Sequence, residues 1–132
     1  MSTDLPLILI IGAADTGRAP MAATLLRRLL HRRGLEWPVA SAGVVGHDDQ
    51  PAQTEARDAI AFLNLDISHH QARSLSEELA GSARVLLAID SGVARVLHAR
   101  YPEATIVSLG ALAGRQRDVP DPFRMQAGAW LS

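Results

Sequence analysis

The chain has no cysteine, and this absence excludes more than any other feature of the composition. Disulfides, thiolate metal sites and catalysis by a thiolate nucleophile all need the missing side chain. Aromatic residues supply only 4% of the sequence, so a core has to be built from Leu, Ile, Val and Ala. Neither sign of charge dominates. With 13 basic and 14 acidic residues the formal charge is −1, which gives no global reason to expect nucleic acid or an anionic membrane as a partner. The apolar run Leu5–Ile11 is far too short to span a bilayer. It also lacks a positive flank and a small-residue cleavage site, so no signal peptide is read and the cytoplasm is the expected compartment.

What is present describes a soluble globular protein. At 132 residues, 48% hydrophobic and 20% charged, the chain is expected to form one domain over residues 1–132 with a real core. Leu5–Ile11 reads as a strand buried on both faces. A small-residue turn, Gly12–Gly17, follows. Pro20 then opens a helix continued by Met21–Arg33, with an apolar stripe of Met21, Leu25, Leu26, Leu29 and Leu30. The basic cluster Arg27, Arg28, His31, Arg32 and Arg33 complements the C-terminal end of that helix dipole, and Gly34 closes it.

The pattern continues with a strand over Val39–Val45, a polar loop Gly46–Pro51 and a helix over Ala52–Leu63. A short helix through Leu75–Leu79 leads into the strand Arg84–Ile89. Asp90 and Ser91 are placed to cap a helix over Val93–Arg100, and Thr105–Val107 forms a fourth strand. Strands alternating with helices predict an α/β fold with a four-stranded parallel sheet and helices on both faces. Ligands of such sheets bind at the carboxyl ends of the strands, near the topological switch point. The turn after Ile11 is the first such place.

Strand, small-residue turn and helix together make either an anion cradle, with backbone N–H groups aimed at a phosphate, or simply a tight connection. The spacing of Gly12 and Gly17 matches a Walker A loop. Arg18 and Ala19 stand where that motif needs Lys and Ser or Thr, so the magnesium ligand of a nucleotide triphosphatase is absent.

A second comparison fits five ordered segments. Ile10-Ile11-Gly12-Ala-Ala-Asp15-Thr-Gly17-Arg18-Ala19-Pro20-Met21-Ala22 resembles the phosphate loop of low-molecular-weight protein tyrosine phosphatases, Cys-x-Gly-Asn-x-Cys-Arg-Ser-Pro followed by Met-Ala. Ser41-Ala42-Gly43 resembles the family's Ser-Ala-Gly, and His70-Gln71-Ala72-Arg73 its His-x-Ala-Arg. Ile89-Asp90 stands where the family has Met-Asp. Asp118-Val-Pro-Asp121-Pro122-Phe123 resembles its general-acid loop. The family's closing helix should follow, but the sequence stops soon after Trp130-Leu131, so that helix is expected to be missing or very short.

The resemblance implies a flavodoxin-like topology and assigns roles by position. Ala13, Ala14, Asp15, Thr16, Gly17 and Arg18 become the phosphate-binding residues, with Arg18 as the clamp. Ser41 and His70 become loop supports, and Asp121 a general acid with no nucleophile to serve. The nucleophile's own position is Gly12, the second Cys is Gly17, the Ser that steadies the thiolate is Ala19, and the loop Asn is Asp15. A carboxylate there repels a dianion unless it is protonated or paired, and Arg18 is the expected pairing partner. His47, Asp48 and Asp49 replace the family's bulky rim aromatic, and Arg124 follows Phe123 where a second aromatic is common. Covalent catalysis by the family route is therefore excluded, and no cofactor or metal is implied.

Three functions follow as expectations. The leading one is a pseudophosphatase that binds a phosphorylated ligand or a protein partner. A weak phosphomonoesterase using an activated water, with His70 or Asp121 as base, is the second. The third is an interaction domain whose loop is closed by an Asp15–Arg18 pair.

Overall fold

The structure, a computed structural model, describes residues 6–109. The Asp118–Phe123 segment, Arg124 and the region of the closing helix lie outside the described residues. Four strands, β1 (Ile8–Gly12), β2 (Val39–Gly43), β3 (Val85–Ala88) and β4 (Ile106–Ser108), form one parallel sheet in the order β2-β1-β3-β4. The α/β fold with a four-stranded parallel sheet is thus as the sequence predicts. β1 is central and carries the continuous apolar run. Leu9, Ile10 and Ile11 are buried because sheet neighbours lie on both edges and helices cover the faces.

Four helices are described. These are α1 (Arg18–Arg32), α2 (Thr54–Ala61), α3 (Glu77–Ser82) and α4 (Ser91–Arg100). The connection from β1 to β2 runs one way across the sheet and that from β3 to β4 runs the other. Right-handed crossovers therefore put α1 and α4 on opposite faces. The main core joins Leu9, Ile10, Ile11, Ala23, Leu30, Leu86, Ile89 and Leu97. A satellite core sets Met21 of α1 against Ala56, Ala59 and Ile60 of α2 and against Ile67.

α1 departs from the reading in two ways. It begins at Arg18, so Pro20 sits third in the helix, still in the first turn where a missing N–H costs little. Its core line is Ala19, Ala23, Leu26 and Leu30, whereas Leu25 and Leu29 are exposed. Gly34 ends the helix as expected. It takes φ +76, with Gly34 N–H donating to His31 O at 3.0 Å and Leu35 N–H to Leu30 O at 2.9 Å.

No helix among the described residues is long and apolar enough to cross a membrane.

Candidate functional site

The loop between β1 and α1 lies at the carboxyl end of the central strand, where the strand order reverses. Its carbonyls are occupied by the segments around it. Gly12 O accepts from Val44 N–H at 3.1 Å and Ala13 O from Val45 N–H at 2.8 Å. Thr16 O accepts from Gln53 N–H at 2.7 Å, and Gly17 O from Met21 N–H at 3.4 Å. The amides behave differently. Among the described residues, the N–H groups of Ala13, Ala14, Asp15, Thr16 and Gly17 donate to no backbone acceptor. With carbonyls held outward and successive amides uncommitted, the loop has the make-up of an anion nest.

The start of α1 adds to this. No side chain caps it at Gly17, and its first turn holds no acidic residue, so the positive end of the dipole is uncompensated there. α3 and α4, by contrast, are capped by Ser76 and Asp90.

β2 supports the loop from below. A Cβ on Gly43 would lie 2.8 Å from Ala13 O and 2.8 Å from Ala14 C, closer than real side chains approach. Only glycine lets the loop rest on the strand end. At the nucleophile position, a Cβ on Gly12 would meet the Ala19 Cβ at 3.1 Å. A side chain at this position would need the first turn of α1 to give by a few tenths of an ångström.

Asp15 is the singular group of the loop. Its backbone is left-handed at φ +61, a conformation that Asp and Asn tolerate better than most. Its side chain turns beneath the loop and is only 1% exposed as a residue. Oδ2 accepts from Arg73 N–H at 3.1 Å. His70 Nε2–H donates to the Asp15 backbone carbonyl at 2.6 Å and lies 3.6 Å from Oδ1. Arg73 turns its Nε–H to Ser41 O at 3.2 Å. Burial pushes the Asp15 carboxyl above its ordinary value of 3.8; nearby Ser41, the Arg73 amide and the His70 and Arg73 charges pull the other way without cancelling this. Oδ1 has no hydrogen-bond partner among the described residues.

The structure thus brings Asp15, Ser41 and His70 together under the loop and leaves Ala13 exposed at its surface. It does not form the expected Asp15–Arg18 pair. Arg18 Nη2 bonds Asp90 Oδ2 at 3.0 Å across the switch point, while Asp90 Oδ1 accepts from Val93 N–H at 2.8 Å as the cap of α4. Burying an ion pair under a loop costs more than forming one at its half-open mouth. His70 commits its Nε2 hydrogen to the loop carbonyl.

On the rim, Asp48 Oδ1 accepts from Ser74 N–H at 2.6 Å, and Asp49 is left-handed at φ +66. These acids hold the loop over Gly43, which pairs with Ser74. Thr16 Oγ1 accepts from Gln53 Nε2–H at 3.1 Å, tying the far side of the loop to the start of α2. Sequence reasoning missed Gln53 and the Arg73 amide, and took Asp90 only as a cap. No cluster of residues suited to a metal occurs among the described residues.

Residues 7–130 match the family described as low molecular weight phosphotyrosine protein phosphatase. The probable low molecular weight protein-tyrosine-phosphatase EpsP of Ralstonia nicotianae is 33% identical over 125 residues, covering 93% of this chain and 82% of the relative. Among solved structures, the low molecular weight protein tyrosine phosphatase from T. tengcongensis superposes with a TM-score of 0.88 at 31% identity, covering 96% of this chain and 88% of that one. The tyrosine phosphatase Wzb of Escherichia coli K30, solved in complex with sulphate, gives a TM-score of 0.85 at 26% identity, covering 96% and 87% of the two chains.

Proposed function

This chain belongs to the low molecular weight phosphotyrosine protein phosphatase family, and we propose that it is a non-catalytic member that uses the loop 12–18 to bind a phosphate or a phosphorylated ligand. The family's chemistry begins with a cysteine thiolate, and no cysteine exists anywhere in the sequence. Gly12 offers no side chain in its place. Thr16, the hydroxyl within the loop, accepts from Gln53 Nε2–H.

The observation that carries the binding half is the row of uncommitted amides from Ala13 to Gly17, set at the uncapped start of α1. Were the loop merely a connection, those donors would be expected to find protein acceptors, as their carbonyl neighbours do. A relative solved with sulphate supports an oxyanion as the occupant. Arg18 stands at the mouth, held by Asp90 at 3.0 Å, where its guanidinium can add a second contact to the same oxyanion.

Calorimetric titration with phosphate and with a phosphotyrosine peptide tests this, run in parallel on Arg18→Ala. Saturable binding that weakens in the variant is the expected result. Rapid phosphate release from the peptide, abolished in Arg18→Ala, would overturn the non-catalytic half. Absence of binding in both proteins would overturn the other half and turn attention to the outer surface as a protein-interaction domain.

A further inference from the structure

We propose that the loop takes up an oxyanion and a proton together, the proton going from solvent to the buried Asp15 carboxyl. This rests on the binding role proposed above and specifies how that site is regulated. The argument starts from what surrounds the carboxyl. Its side chain has no exposed surface, its Oδ2 holds one backbone N–H of Arg73 and its Oδ1 holds nothing among the described residues.

The charged groups nearby are mostly committed elsewhere. From the segment after α2, His70 places its Nε2 hydrogen on the Asp15 carbonyl, and Arg73 sends Nε–H to Ser41 O of β2. From α1, Arg18 is held by Asp90 at the start of α4. From the loop after β2, Asp48 caps Ser74. An ionised Asp15 is thus supported by one hydrogen bond, from the Arg73 amide, and by His70 Nε2 at 3.6 Å from Oδ1, whose hydrogen is spent on the Asp15 carbonyl.

An oxyanion on the amides of Ala13–Gly17 would add a second negative charge close to that buried carboxylate, and the two would repel. Protonation of Asp15 removes the repulsion. It also supplies an O–H that the adjacent Ser41 hydroxyl can accept. Burial already raises the proton affinity of this carboxyl, in the same direction as the bound charge would. By linkage, a ligand that draws a proton into the protein binds more tightly as the pH falls.

Sulphate is the suitable probe, since it stays dianionic throughout this range whereas phosphate changes charge. Its binding would be measured calorimetrically at about pH 5 and about pH 8, each in two buffers of different ionisation heat. Affinity should be about tenfold or more higher at the lower pH, with a net uptake of up to one proton per sulphate. Asp15→Asn keeps His70, so any proton taken up there persists in the variant. In that variant both the uptake and most of the pH dependence should vanish. Asp15→Gly suits φ +61 and serves as a second uncharged variant if the first folds poorly.

The proposal is overturned if wild-type affinity is equal at the two pH values, or if Asp15→Asn takes up as many protons as the wild type. Sulphate binding by the uncharged variants alone, at both pH values, would overturn it too, since the wild-type carboxyl would then be refusing the proton. Binding by none of the three proteins is a different failure. It would remove the oxyanion site itself, and the proton coupling with it.

Discussion

Replacing Asp15 by Asn should make this protein more stable at neutral pH. The substitution keeps the size and planarity of the side chain and suits the left-handed backbone at φ +61. The amide oxygen can accept from Arg73 N–H as Oδ2 does at 3.1 Å. The NH2 then occupies the place of Oδ1, which has no partner among the described residues, and can donate to the neighbouring Ser41 hydroxyl. Relieving one buried, unsatisfied and charged acceptor is worth about 1–3 kcal/mol. In a domain of this size that corresponds to a melting temperature raised by roughly 3–12 °C.

The sign of the pH dependence follows from the raised proton affinity. The folded carboxyl holds its proton more tightly than the unfolded one, so its stabilising contribution is complete below the ordinary value of 3.8. That contribution is lost as the pH climbs through the folded-state value. The advantage of Asp15→Asn should therefore be full at neutral pH and shrink as the pH falls toward 3.8. Urea unfolding of both proteins over a pH series measures this directly. A variant no more stable than wild type at neutral pH, or a difference constant across the series, would refute the reasoning about the buried carboxyl.

Three further outcomes are expected. Gly43→Ala should lower stability by about 1–3 kcal/mol in urea unfolding, since its Cβ would lie 2.8 Å from Ala13 O. Asp90→Ala removes both the α4 cap and the partner of Arg18 and should cost about 1 kcal/mol. Asp90→Asn keeps the cap but not the counter-charge, so it should nearly preserve stability while sulphate affinity by calorimetry rises about threefold or more. Ile60→Ala, at a fully buried position of the satellite core, should cost about 2–5 kcal/mol in the same unfolding assay.

The strands were legible because burial on both faces leaves so little freedom. Leu9, Ile10 and Ile11 read as β1 from an uninterrupted apolar run, and Asp90 read as a cap from its place before an apolar helix. The start of α1 was less so. Pro20 is compatible with any position of the first turn, and it lies third rather than first. Leu25 and Leu29 misled because periodicity marks apolar faces, whereas exposure depends on what the rest of the fold lays against them.

At the site, the order strand, small-residue turn and helix indicated where an anion loop would lie. Arg18 was matched to the nearest acid along the chain, Asp15. Its partner is Asp90, 72 positions away, brought close only because β1 and β3 are neighbours in the sheet. The Arg73 amide that holds Asp15 was invisible for a related reason. It is a backbone group, and no residue type announces it.

The contact between Gly43 and the loop has a consequence for how such a protein changes over generations. The shape of the loop is templated by the end of a core strand, through Val44, Val45 and the surface left bare by Gly43. That template is made through backbone groups, Gly12 O included, and calls on no side chain at position 12. A mutation that removes the reaction therefore leaves the mould intact, and any mutation that breaks the mould is penalised as a folding defect. The receptacle is inherited with the scaffold. Side chains at positions 12, 17 and 19 can therefore change while the loop keeps its backbone support.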